Sequence, residues 1–154
     1  MLHISFFELI VRAIPESFLF VFAIYVFANK KVDLNKYIIS SIGLAISMFV
    51  VRSFPIGYGT HTILNIILLV CITNFLNKIN TLECIKGGIF TSIILFFSEA
   101  INLFLIQLKV GENVTSIFSD PILKTIYGIP SLVIFLAIII LINFLKNRKK
   151  IKDV

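Results

Sequence analysis

Read as a pattern of hydrophobic and polar positions, the chain is a series of long apolar runs broken by short polar stretches. An α-helix needs about 20 apolar residues to cross roughly 30 Å of hydrocarbon. Five runs of that kind occur, over 5–28, 37–54, 60–77, 86–108 and 129–145. The segments between them, 29–36, 55–59, 78–85 and 109–128, carry the charges and the turn-forming residues. In the last connector, Ser119-Asp120-Pro121 offers a helix cap followed by proline at the first helical position, and Gly128 can stop the turn. This predicts a short interfacial helix over 121–127, with Ile122, Leu123 and Ile126 dipping into the membrane surface and Lys124 facing water. The predicted fold is an all-α integral membrane bundle of five transmembrane helices plus that interfacial helix, spanning 1–146, with a basic cytoplasmic tail over 147–154. A rival reading turns the first run into a re-entrant hairpin, because Arg12, Pro15 and Glu16 weaken it as a span.

Composition agrees with a bilayer as solvent. The 154 residues are 58% hydrophobic and only 14% charged, against about 25% charged in an ordinary soluble domain, and the mean hydropathy is +1.04. A soluble protein of this length cannot bury so much apolar surface in one core. The net charge of +6 is unevenly placed. With the N-terminus outside and the C-terminus inside, ten of the 14 basic residues fall in cytoplasmic segments: Lys30, Lys31, Lys36, Lys78, Lys86, Lys146, Arg148, Lys149, Lys150 and Lys152. The expectation is a multi-pass protein of the cell membrane in that orientation. No cleavable signal peptide is expected, since Glu8 and Arg12 stand where an apolar core should begin. The basic run over 146–152 is a positive-inside anchor with attraction to anionic lipid rather than a nucleic-acid surface. Cys71 and Cys84 are too few for a disulfide framework, and with His3 and His61 far off they lack zinc-ligand spacing. No metal and no cofactor is expected.

Against this background the ionisable residues inside the apolar runs stand out. A charge at membrane depth is costly and needs a partner, a water-filled cavity or a function. At about 1.5 Å rise per residue, Arg12 and Arg52 each lie roughly 24 Å above the cytoplasmic ends of their spans, Glu99 roughly 20 Å and Glu16 roughly 18 Å. His61 and Asn65 open the third span, and Asn102 follows Glu99 on the same helix face. Arg12, Glu16, Arg52, His61, Asn65, Glu99 and Asn102 are therefore the candidate ligand-binding residues, converging in the outer half of the membrane. Pro15, Pro55, Gly57 and Pro130 are the candidate helix breaks that free backbone groups at that level. Two cations, two anions, a histidine and two amides exceed what one structural ion pair needs. Gly87-Gly88 suggests close helix packing, because no phosphate-binding pattern surrounds it. Asn113-Val114-Thr115 matches a glycosylation triplet that is common by chance.

Several segments together resemble a known family: Arg12-Ala13-Ile14-Pro15-Glu16, then the run from Arg52-Ser53-Phe54-Pro55-Ile56-Gly57-Tyr58-Gly59-Thr60-His61-Thr62, then Ser98-Glu99-Ala100, then Asp120-Pro121 leading to Tyr127-Gly128-Ile129-Pro130. Their order and spacing resemble the N-terminal multi-span sensor region of Gram-positive, accessory gene regulator-like sensor histidine kinases. The resemblance implies a non-catalytic membrane module that senses an extracellular signal, often a peptide, in an outward-facing polar pocket. It also implies, as partners, a second copy of the chain or a histidine kinase. The sequence ends eight residues past Lys146, where such a kinase would continue into its dimerisation and nucleotide-binding parts. The expectation is a sensor-like module, stand-alone or a fragment, without kinase chemistry.

Two other classes are weighed. A membrane cysteine peptidase would need His61 beside Cys71 or Cys84, yet Cys71 lies roughly 15 Å deeper than His61 if both are helical and Cys84 falls on the cytoplasmic side, whereas proton transfer needs contact at about 3 Å. A small-solute binding or transport subunit fits a compact bundle with a polar vestibule, without any coupling motif to support it.

Overall fold

In the computed structural model, residues 9–54, 58–110 and 121–152 are described, and all the regular structure among them is helical. A π-helical turn, Leu9–Ala13, runs into α1 (Ile14–Phe27); α2 (Leu34–Ser53), α3 (Tyr58–Asn77), α4 (Thr81–Val110) and α5 (Pro121–Lys152) follow. Five helices are long and apolar enough to cross a membrane, over Ile10–Phe27, Leu34–Ser53, Thr60–Asn77, Thr81–Lys109 and Thr125–Arg148. The all-α, five-span architecture read from the apolar runs is the one observed. The described part of the first run, Leu9–Phe27, is one continuous helical segment.

The pattern of burial is that of a protein dissolved in lipid. Ser17, Ser40, Ser41, Thr73, Thr91, Ser98 and Ser131 are buried, while Phe75, Leu34, Leu108, Phe97 and Ile63 are exposed. Hydrocarbon solvates the apolar side chains, and the small polar ones are kept inside, where all of these but Ser41 have a hydrogen-bond partner among the described residues. Most buried hydroxyls donate back to a carbonyl of their own helix: Ser40 to Lys36, Thr91 to Gly87, Ser92 to Gly88 and Ser98 to Ile94. One such hydroxyl also links helices, as Asn77 Nδ2 donates to Ser40 Oγ at 3.2 Å between α3 and α2.

Each helix packs against its neighbour in sequence, and α1 touches all four of the others. It is the axis of the bundle, contributing Phe20, Val21, Ala23, Ile24, Tyr25 and Val26 to a core completed by Leu44, Met48, Leu69, Phe135 and Ile139. Gly87 lets α4 approach this axis: a Cβ there would stand 2.9 Å from Ile24 Cδ1. The close-packing reading thus holds for Gly87, whereas a Cβ on Gly88 would make only ordinary contacts, the nearest at 3.5 Å from Ile66.

Two expectations need correction. The connector expected over 78–85 is only three residues long, because Asn80 caps α4. Its Oδ1 accepts from Leu82 N at 3.3 Å, with Glu83 at the third helical position as in a capping box. Nor is there a separate interfacial helix over 121–127. Those residues are the first turns of α5, which runs unbroken through Gly128 and Pro130 to Lys152. Glycine is tolerated inside a helix at about 1 kcal/mol. The carbonyls around Pro130 find side-chain donors, Asn102 Nδ2 to Tyr127 O at 2.7 Å and Ser131 Oγ to Gly128 O at 2.6 Å.

The end of the bundle opposite the arginines is closed by lysines on helix C-termini. α1 finishes in a Schellman turn, with Lys30 N donating to Tyr25 O, Asn29 N to Val26 O, and Asn29 in the left-handed region at φ 55°. Lys146 Nζ of α5 donates to Val26 O and Phe27 O, both at 3.2 Å, and lies over the Phe27 ring. Lys30 Nζ reaches Lys78 O past the end of α3. Cations at these positions complement the negative ends of the helix dipoles.

Candidate functional site

The site begins with a local conflict. Pro15, the second residue of α1, has no N–H to donate, and its ring crowds the carbonyl four residues back. The preceding turn widens into the π-helix Leu9–Ala13, a conformation that is rare and concentrated at functional sites. Arg12 leaves the chain from this wide turn. Its Nη2 donates to Glu99 Oε1 of α4 at 2.5 Å. The rest of its guanidinium lies over the backbone of α5, so that a Cβ on Gly128 would stand 3.2 Å from Arg12 Nη1. Gly128 thus serves as the bed for an arginine.

One turn further along, Glu16 is the most deeply buried charge of the group, its side chain 5% exposed. It accepts from Arg52 Nη2 of α2 at 2.9 Å through Oε2, and the same oxygen lies 3.9 Å from Arg12 Nε. The four charges therefore form one chain, Arg52–Glu16–Arg12–Glu99, running from α2 through α1 to α4. Two positive and two negative groups leave no net charge in a low-dielectric setting, which makes the burial tolerable. The network is not sealed: the side chains of Arg12 and Arg52 are 19% and 21% exposed and that of Glu99 is 32% exposed.

The other sequence candidates divide. Asn102 is spent on the α4–α5 contact through its bond to Tyr127 O, one turn from Glu99. His61 and Asn65 precede the fully buried Leu69 and Thr73 at four-residue steps, placing all four on the inward face of α3. Neither joins the ion network by a direct hydrogen bond. His61 Nδ1 and Asn65 Oδ1 are buried with no hydrogen-bond partner among the described residues, and so is Arg12 Nε. Buried polar atoms without partners are uncommon and costly, about 1–3 kcal/mol each. Pro15 and Pro130 lie at the π turn and inside α5, whereas Pro55 and Gly57 lie outside the described residues.

Sequence reasoning missed Gly128 as part of the site, having read it as a helix stop. It also did not anticipate the apolar groove of about 160 Å³ lined by Ile14, Ile42, Ala45, Ile46 and Phe49, between the start of α1 and one face of α2. The signal for the groove was present in the i, i+3, i+4, i+7 spacing of its α2 residues, but the partner surface was not. Cys84 is fully buried and receives a hydrogen bond at 3.3 Å from Oγ1 of Thr73, a residue that itself lies roughly 18 Å of helix rise from His61 along α3.

With the geometry in view, comparisons with protein-family models, with curated proteins and with solved structures find no match to this chain.

Proposed function

We propose that the chain is a non-catalytic membrane receptor module whose ion network near the outer surface is the binding site for an extracellular small molecule or peptide. In this reading the N-terminus lies outside, the lysine-capped end is cytoplasmic, and the partners are a second copy or a histidine kinase that receives the signal. One observation carries it: the chain Arg52–Glu16–Arg12–Glu99, exposed in part at Arg12, Arg52 and Glu99, joins three helices, and the buried His61 Nδ1 and Asn65 Oδ1 have no hydrogen-bond partner among the described residues. A pair would suffice to neutralise a charge during insertion. Four linked charges with spare hydrogen-bonding atoms can exchange partners with a ligand, and any such exchange moves α1 against α2 and α4. The sequence resemblance to sensor regions of histidine kinases supports the same reading.

The test is a thermal-shift screen of secreted small molecules and short peptides on the purified chain in lipid nanodiscs. A ligand of this site stabilises the native chain and loses its effect in both Arg12→Ala and Glu99→Ala. Equal shifts in the native protein and both variants would place binding elsewhere and overturn the proposal. Orientation is tested separately by tags at the two ends: an N-terminal tag protected from protease in intact cells would reverse the assignment.

A further inference from the structure

At the lysine-capped end of the bundle, one basic residue stands inside the apolar part of its helix. Lys86 lies five residues into α4, roughly 7.5 Å of helix rise from Thr81. Leu82, Ile85, Ile89 and Phe90 on either side of it are exposed large apolar residues, so this turn of α4 faces lipid. Lys86 is itself exposed, and it has no ion-pair partner among the described residues, Glu83 of the same helix included. A lysine at that depth carries its ammonium to the head-group layer along its own apolar stem.

The neighbours of Lys86 come from three helices. One turn further along α4, the Phe90 ring stacks on Phe27 of α1, with centroids 5.7 Å apart. Lys146 of α5 lies over the same Phe27 ring, its Nζ 5.3 Å from the centroid, where its bonds to Val26 O and Phe27 O hold it. Gly87 leaves room for this approach, since a Cβ there would stand 3.4 Å from Phe27 Cβ. The seam of α1, α4 and α5 thus carries one lysine from α4 and one from α5, with an aromatic pair joining their helices. Charge at this end of the bundle is unbalanced as well. Seven basic residues in 28–36, 77–87 and 145–148 stand against Asp33 and Glu83, and Asp33 is already paired with Lys36.

Basic pockets between transmembrane helices are sites for anionic lipid head groups. A zwitterionic head would bring a further cation to an aromatic face that Lys146 already covers. We propose that the seam holds one anionic phospholipid of the adjacent leaflet, its phosphate between Lys86 and Lys146 and the start of a chain along Phe90. The phosphate supplies Lys86 with a counter-charge, and the chain covers a ring that is 54% exposed. This site lies at the opposite end of the bundle from the ion network and is independent of the receptor reading.

The experiment is native mass spectrometry of the full chain in detergent, titrated with dioleoyl phosphatidylglycerol or dioleoyl phosphatidylcholine. A single phosphatidylglycerol is expected to bind saturably, about tenfold more tightly than phosphatidylcholine. Lys86→Gln should lower its affinity about tenfold, the worth of one hydrogen bond to a charged group, and Lys86→Arg should keep it. Lys31→Gln removes the same charge from an exposed position of the connector between α1 and α2. It should cost no more than about threefold, as for an exposed charge interaction. Equal affinity for the two lipids, or equal losses in Lys86→Gln and Lys31→Gln, overturns the proposal and leaves diffuse attraction to a basic surface. Displacement of the lipid by inorganic phosphate at constant ionic strength also overturns it, showing a site for a free anion.

Discussion

Glu16 shows how one side chain sets the energetics of its surroundings. It is nearly inaccessible, and it is the carboxylate that lies between the two arginines. Glu16→Ala strips Arg52 of that partner and leaves Arg12 only Glu99. Removing one member of a buried ion pair costs about 3–5 kcal/mol, so thermal unfolding in mild detergent should show a large fall in midpoint. Lys36→Ala, which breaks the half-exposed Lys36–Asp33 pair, should change stability by no more than about 1 kcal/mol. A comparable loss in both variants would contradict this account of the network. Gly128 offers a second check at the same scale. Gly128→Val should push the Arg12 guanidinium off α5 and weaken its bond to Glu99, and its cost should largely vanish when combined with Arg12→Ala. A double-mutant cycle measures that coupling, and strict additivity would mean that the two residues do not share a site.

Among the elements, α1 bears the most neighbours, and its two ends are held differently. The N-terminal end is held by charge pairs from the π turn and Glu16. The other end is held by Lys146 of α5, donating to two carbonyls at the α1 C-terminus. Lys146→Met keeps the length of the side chain but loses these bonds and the contact of the ammonium with Phe27. A loss of about 1.5–3 kcal/mol is expected, typical of a hydrogen bond to a charged group, read by chemical unfolding in detergent. A change below about 0.5 kcal/mol would mean that α5 does not clasp α1 there. The approach of α4 to α1 is equally specific. Gly87→Ala comes too close only to the flexible tip of Ile24, its other contacts being ordinary ones, and should be tolerated, whereas Gly87→Leu drives a side chain into the axis and should cost about 1–3 kcal/mol from overpacking.

For the whole molecule, the governing fact is that hydrophobicity does not predict burial. Phe135 is fully buried and Phe75 is 83% exposed, although both lie in apolar spans. Phe135→Ala should cost about 3–5 kcal/mol, while Phe75→Ala, which removes contacts with lipid alone, should stay within about 0.5 kcal/mol. Similar losses for the two would show that the bundle is arranged otherwise.

The same contrast explains what was legible in the chain. Five spans could be read directly, because the length of an apolar helix is matched to bilayer thickness and every backbone group must be satisfied within it. The depth of Arg12, Glu16, Arg52 and Glu99 could be read as well, since helical rise converts residue number into height. Rotation about each helix axis could not, because lipid-facing and helix-facing positions are both apolar and leave a weak periodic signal. For that reason, only the tertiary structure decided that Arg12 pairs with Glu99 and Arg52 with Glu16, and that Asn102 turns to α5. Gly128 and Pro130 weaken an isolated helix, but α5 continues through them, with Gly128 forming the bed for Arg12 and Asn102 and Ser131 donating to the carbonyls of Tyr127 and Gly128. Length and composition determined that this protein spans a membrane five times; the contacts between helices decided where its charges meet.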